Sequence, residues 1–362
     1  MRGQELLDKM DFIEPAYVEA ADMHVKKKKS IWLKWGAMAA CIGITLLSVW
    51  ATGKNQESSQ LGNLQTIEIS ELSAGQGFEG YLCYDISELE NGDPWSEDMD
   101  IKTLPVYKNK AYDASGAGVP KGLSVAEMME RLDEVLGKLG LNLVSSKTHT
   151  EGLFTTSIEA ETEKGTVEVE ADGTITYFPT KEELVISDCI EKYSAFLQME
   201  EPEIVTQNTY NFYGDLYQDY KAYDSSGNEI EDILNYNFSN VQIAAFENGE
   251  IHLVRKKEEL LLANKVDDYP IVAVKEATKR LENGNYQSSV PYVFPGKEHI
   301  GKVELIYRTG SSEKYLLPYY RFYVELTIEE LENGLKTYGA YYVPAVEADY
   351  IKNMPVYGGN YN

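Results

Sequence analysis

Chemistry in this chain has to come from few kinds of side chain. Histidine occurs at His24, His149, His252 and His299, and cysteine at Cys41, Cys83 and Cys189. A zinc centre gathers several His or Cys ligands, usually visible as close-spaced pairs. None of the four histidines has such a partner. The activated-serine G-x-S-x-G, the P-loop and H-E-x-x-H do not occur. Ser115–Gly118 (SGAG) follows no strong strand and lacks the dinucleotide spacing, so it reads as a loop. Carboxylates remain. Two converging in a cleft would supply the acid and base of a hydrolase, but with 59 acidic residues against 33 basic, solvated surface charge is the ordinary reading of each. Asp93, Glu97, Asp98 and Asp100 raise a calcium question, as do Asp224, Ser226 and Asn228. Neither group has EF-hand spacing, and they read as a solvated loop and a β-turn. The expectation is therefore no catalytic residue, no cofactor, no metal and no enzymatic activity.

The cysteines are too few for a disulfide scaffold. Cys83 and Cys189 could pair, but Cys189 shares a helical apolar face with Ile186, Tyr193 and Phe196 and reads as core. The 27 tyrosines are the unusual feature. An apolar ring with a polar tip suits a half-buried sheet, and also a surface that grips peptide or glycan.

Charge is unevenly spread. Residues 1–34 hold seven basic and six acidic side chains, and the remainder holds 26 basic and 53 acidic, a net of −27. Such a surface repels nucleic acid and suits a soluble domain, a cationic partner or loose binding of divalent cations. Cys41 lies in the apolar run Ile31–Ala51, which as a helix would span about 30 Å, the thickness of bilayer hydrocarbon. Trp32, Trp35 and Trp50 mark its interfaces, and Lys26, Lys27, Lys28 and Lys29 precede it, which places the N-terminus in the cytoplasm. A cleaved signal ending near Ala51 and a lipoprotein signal at Cys41 fit less well, because the apolar run is long and continues past the cysteine. Small residues at Gly36/Ala40 and Ala39/Gly43 would allow helix pairing into a homodimer. Ahead of the run, Leu6, Leu7, Met10, Ile13, Tyr17 and Val18 recur at helical spacing among acids. That peptide either docks on a cytoplasmic partner or is a frayed tail.

The remaining elements must carry the fold. Ser124 and Glu127 form a capping box that opens a helix; Val125, Met128, Met129, Leu132, Val135, Leu136 and Leu139 hold one face, and Gly140 stops it. Strands are expected at Leu141–Val144, Leu153–Glu161, Thr166–Ala171 and Thr174–Phe178, with Asp172-Gly173 as a turn. A helix from Thr180 to about Gln198 follows, then strands Ile204–Phe212, Leu216–Tyr223, Val241–Phe246 and Ile251–Arg255, the last pair turning at Asn248-Gly249. A third helix spans Pro270 to about Glu282, before strands Val303–Arg308, Lys314–Leu326 and Thr337–Val343. In Lys314–Leu326 the alternation of Tyr320, Phe322, Val324 and Leu326 with Arg321, Tyr323 and Glu325 reads as half-buried.

LLDKMDFIEPAYVEAAD, KKKK and IWLKWGAMAAC at the N-terminus resemble the start of uncharacterised clostridial-type single-pass membrane proteins described as anti-sigma-like regulators. LPVYKN (Leu104–Asn109), GVPKGLSVAEM (Gly118–Met128), ILNYNF (Ile233–Phe238), DYPIVAVKEA (Asp268–Ala277), PYYRFYVEL and YGAYYVPAV look like the same group. The C-terminal part is similar to PepSY-like domains and to accessory proteins of a cell-wall sensor kinase. The resemblance implies a regulator with an outer sensing domain and a sigma factor or sensor kinase as cytoplasmic partner. The short cytoplasmic peptide departs from a standard anti-sigma domain, and no zinc-binding His-Cys-Cys pattern is present.

The expected fold is α+β: a single N-terminal transmembrane helix followed by antiparallel sheets each packed by helices, in PepSY-like or cystatin-like helix-then-strands units. The expected organisation is a cytoplasmic amphipathic peptide (1–30), transmembrane helix (31–51), linker (52–65), membrane-proximal α+β domain (66–262) and C-terminal helix-plus-sheet domain (263–362). The expected function is a membrane-anchored regulator with the bilayer, an envelope ligand and a cytoplasmic protein as partners. The alternative is an envelope-binding module for peptide or glycan with a passive tail.

Overall fold

The computed structural model describes residues 64–70, 82–83, 92–110, 112, 122–151, 154–180, 182–183, 186–210, 216–246, 248–257, 265–310, 313–327 and 334–359. Ile31–Ala51 with its flanking Lys26, Lys27, Lys28, Lys29, Trp32, Trp35 and Trp50, and the docking candidates Leu6, Leu7, Met10, Ile13, Tyr17 and Val18, lie outside the described residues.

Among the described residues, seventeen strands and five α-helices follow in chain order. They are β1 (Leu82–Cys83), β2 (Thr103–Lys108), α1 (Val125–Leu139), β3 (Leu143–Glu151), β4 (Phe154–Thr162), β5 (Gly165–Glu170), β6 (Ile175–Pro179), β7 (Glu182–Glu183), α2 (Ile186–Lys192) and α3 (Ser194–Leu197). Next come β8 (Pro202–Tyr210), β9 (Leu216–Asp224), α4 (Glu229–Phe238), β10 (Val241–Ala245), β11 (Glu250–Lys256), β12 (Lys265–Pro270) and α5 (Val274–Glu282). The last are β13 (Gln287–Ser288), β14 (Ile300–Tyr307), β15 (Tyr315–Leu316), β16 (Pro318–Glu325) and β17 (Tyr338–Pro344).

The expected fold class needs correction. Among the described residues no helix is long and apolar enough to cross a membrane; the longest, α1, has 15 residues and a charged outer side, short of the ~20 apolar residues a span requires. Strand outweighs helix, and the helices do not recur as one cover per sheet. The fold is a set of antiparallel sheets. One has nine strands in the order β3-β4-β5-β6-β11-β10-β9-β8, with β7 also on β11. A second runs β1-β17-β16-β14 with β13 on β17, and a third is β12-β2-β15.

Local sequence explains α1. Ser124 accepts from the Glu127 amide while Glu127 reaches back to the Ser124 amide, and Gly140 ends the helix at φ 63°. Met128, Leu132, Val135 and Leu136 are buried, whereas Val125 is 45% exposed among the described residues. This face packs on Ile158, Ala160, Val167, Val169 and Tyr177 of the nine-stranded sheet. The helix expected from Thr180 is broken. Glu182–Glu183 pairs with Glu250–Ile251 as strand, and helix resumes only at Ile186, in two short pieces. Cys189 within it is fully buried, as its place on the apolar face implies.

The β16 strand, expected to be half-buried, is buried on both faces. Tyr320, Phe322 and Val324 pack with Ala277 and Leu281 of α5, while Tyr319 on the other face packs with Ile67, Val106 and Tyr269. Tyrosine makes this workable: Tyr269, Tyr307, Tyr320 and Tyr341 bury their rings and donate their hydroxyls to the carbonyls of Gln65, Pro105, Val272 and Tyr292. The β14–β16 connection is closed by a buried pair, Arg308 Nε to Glu313 Oε1 at 3.2 Å, both side chains under 3% exposed, with the Arg308 guanidinium 4.9 Å from the Tyr342 ring centre.

Candidate functional site

Among the described residues, the side chains that sequence singles out for chemistry are not brought together. His149 Nε2 lies 3.1 Å from Glu159 Oε2, His252 stacks on Phe246 at 4.3 Å, and His299 sits 3.9 Å from Glu298. Among the described residues no three His, Cys, Asp or Glu side chains are grouped to hold a metal. Asp224 Oδ1 instead accepts from the amides of Glu200 and Glu201. Asn228, read as a turn residue, N-caps α4 by accepting from Ile230 and Glu231. One S-x-x-K spacing does occur, Ser311 to Lys314; Ser311 lies outside the described residues, and Lys314 Nζ is 3.3 Å from Glu68.

The structure assembles a different group, a charged seam of which the sequence points only to Asp93, and that residue is buried where a solvated loop is expected. β9 sends Ala222 into the core beneath α1, which turns Lys221 and Tyr223 to the opposite face, where Tyr223 meets Tyr236 of α4 edge-on at 5.7 Å. The Lys221 ammonium lies 4.2 Å from the centre of the Tyr236 ring. On the second sheet, Glu304 of β14 stands directly opposite Arg321 of β16. Glu304 is 3% exposed and its carboxylate is saturated. Oε1 receives Lys302 Nζ at 2.9 Å; Oε2 receives Arg321 Nε at 3.0 Å, Arg321 Nη2, and the Tyr323 hydroxyl at 2.8 Å. Asp93, in the loop before β2, accepts from the Trp95 amide at 2.9 Å.

These groups perturb one another. Burial alone would raise the Glu304 carboxyl, but Arg321 and Lys302 outweigh it and hold it down at about 2. Burial pushes Asp93 up to about 6, helped by the negative Glu304. The stem of Lys221 keeps some surface, yet protein surrounds its ammonium. Burial and then the Arg321 charge lower it to about 8. Shifted groups in a cleft are a functional-site signature, and structural ion-pair networks give the same shifts. Here Glu304 is fully engaged by its own sheet, which is the arrangement of a structural clamp.

A hydrogen-bonded cap lies beside it. Asn237 of α4 donates to the Leu305 carbonyl at 3.4 Å and accepts from the Tyr307 amide at 2.9 Å. Its amide stands in for a neighbouring strand and closes the edge of β14. Among the described residues the nine-stranded sheet has no such cap at β3. Among the described residues β3 pairs with β4 alone; Asn142 through Thr148 are all exposed, Leu143 by 45% and Val144 by 71%.

A mixed-charge cavity of 460 Å³ opens between α1, α3 and β11, floored by Leu123, Val135, Ile175 and Phe196. Lys256 on its wall donates to the Leu197 carbonyl at 2.6 Å, capping α3.

No family model matches the chain, and no curated protein does. Among solved structures, an uncharacterised protein from Eubacterium rectale is similar at 9% identity over 71% of this chain and 86% of that one, with a TM-score of 0.38. A likeness that slight carries no argument about what the chain does.

Proposed function

We propose that the chain is a non-catalytic regulator of the cell envelope. Residues 64–362 form its interaction module, on the outer side of the cell membrane. Residues 26–51 hold the chain at the membrane, and the peptide around Leu6, Leu7, Met10, Ile13, Tyr17 and Val18 docks on a cytoplasmic partner, a sigma factor or sensor kinase. The charge step along the chain supports the placement: basic residues cluster at Lys26–Lys29, whereas everything after residue 34 sums to −27.

One observation carries the interaction reading: β3 is a nine-residue edge strand left exposed in a fold that caps the neighbouring sheet's edge with Asn237. A tyrosine-faced grip on glycan has less behind it, because Tyr269, Tyr319, Tyr323 and Tyr341 are fully buried.

The docking role is tested by replacing Leu6, Leu7 and Met10 with Asp in the full-length chain and measuring co-purification of the sigma factors and sensor kinases of the same cell. The reading expects one of them to be recovered with the natural chain and lost with the triple variant. Equal recovery with both chains counts against a docking peptide.

A further inference from the structure

We propose that β3 is a docking edge that accepts a short extended segment of a basic partner as an additional strand of the nine-stranded sheet. This rests on the interaction-module reading and names the surface and the partner chemistry. A strand paired on one side only turns alternate amide and carbonyl groups outward, where they template another chain. In β3 those groups belong to an ordered ladder. Ser145, Ser146, Lys147, Thr148 and His149 pair in unbroken register with Glu161, Ala160, Glu159, Ile158 and Ser157. The register shifts at Leu143/Ser145 and at His149/Thr150 bound this window on both sides. Bulges and a lysine are the usual devices that blunt an edge; here the bulges flank a regularly paired stretch of about 17 Å, with Lys147 at its centre, without removing it. No proline interrupts it. The far edge of the same sheet differs, since β8 begins with Pro202 and Gln207 is tied to the Tyr236 hydroxyl of α4.

Charge selects the occupant. Glu159 stands directly opposite Glu168 across β4 and β5, and Glu161 and Glu170 lie on the same face two residues along. Like charges directly opposed are unfavourable, and Glu170 is raised by burial and then by Asp172 and Glu168. Against these acids the window offers Lys147, and His149, which already sits on Glu159. An added strand lies directly beside Lys147 and His149, with Glu159 and Glu161 one strand further in, so its cations are drawn by the summed acids of this sheet and of the chain and not by a directly opposed partner. A second copy would bring the same acids and a net charge of −26 with it, which opposes self-pairing.

The test uses the full-length chain in detergent micelles and three nine-residue peptides: alternating Thr and Lys, alternating Thr and Glu, and the Thr/Lys peptide N-methylated at alternate amides. Binding is read by fluorescence anisotropy and mapped by amide hydrogen exchange. The Thr/Lys peptide is expected to bind and slow exchange at Ser145–His149. The Thr/Glu peptide should bind at least tenfold more weakly, and N-methylation should abolish binding because it removes the ladder donors. The double variant Glu159→Gln, Glu161→Gln should weaken Thr/Lys binding severalfold with an unchanged thermal midpoint. The inference is overturned if millimolar Thr/Lys peptide leaves exchange at Ser145–His149 unchanged, if the N-methylated or Thr/Glu peptide binds equally well, or if this window is already protected in a dimer of the chain. None of these outcomes bears on the membrane placement or the cytoplasmic peptide, which fail or stand on co-purification and topology.

Discussion

Glu304→Gln should destabilise the fold by about 3 kcal/mol at neutral pH. The carboxyl moves from an ordinary 4.5 to about 2 on folding, and about 2.5 units at ~1.4 kcal/mol each gives that figure. The side chain is 3% exposed, so solvent screening removes little. Glutamine keeps the shape but turns an amide N–H₂ toward Lys302, Arg321 or Tyr323, all of which donate to the native carboxylate. Breaking a buried pair on one side costs several kcal/mol for this reason. The sign follows from proton counting. With the folded pKa depressed, the stabilisation is complete above about 4.5 and drains away as pH falls toward about 2. Urea unfolding of natural chain and variant, compared at pH 7 and across that acid range, isolates the group from the many other carboxylates. The difference between the two should be near 3 kcal/mol at pH 7 and shrink steadily below pH 4.5. A variant within 0.5 kcal/mol at pH 7, or a difference that does not change with acid, would refute the assignment of Glu304 as the clamp.

Three further outcomes are expected. Lys221→Met removes an ammonium whose pKa is lowered by burial to about 8; stability at pH 7 should rise by about 1–2 kcal/mol after the lost Tyr236 ring contact is counted. The natural chain alone should gain stability between about pH 8 and 10.5, where the unfolded lysine still holds the proton the folded one has shed. Asn237→Ala opens the β14 edge and should cost about 1–2 kcal/mol, with faster hydrogen exchange at the Tyr307 amide, which loses its acceptor. Gly339→Ala would place a methyl 2.7 Å from Val290 Cγ2 and should lower stability by about 1–3 kcal/mol, with Val290→Ala in the same chain restoring part of it in thermal unfolding.

What could be read in advance was what the chain specifies locally. The capping box at Ser124 and the Met128–Leu136 stripe lie within a few turns of one another, and the Asp172-Gly173 turn joins adjacent strands. What escaped reading was set by distant partners. Glu182–Glu183 has helical propensity but is held as strand by Glu250–Ile251. Helix α4 has ILNYNF as its second half, whose Ile, Tyr and Phe favour strand, yet Ile233, Leu234, Tyr236 and Phe238 are buried in it as helix. β3 was cut short at Val144 because LVSSKTHTE carries no two-residue apolar rhythm. That rhythm is absent because, among the described residues, neither face of the strand is covered. The seam was invisible for a plainer reason: Asp93, Lys221 and Glu304 lie far apart in sequence and meet only when β9, β14 and the loop before β2 come together.

Protease added to intact cells carrying the full-length chain, tagged at both ends, tests the placement of the interaction module most directly. The account predicts that the C-terminal tag and residues 64–362 are digested from outside while a short fragment bearing the N-terminal tag survives. Survival of the C-terminal tag in intact cells, with digestion only after lysis, would contradict it.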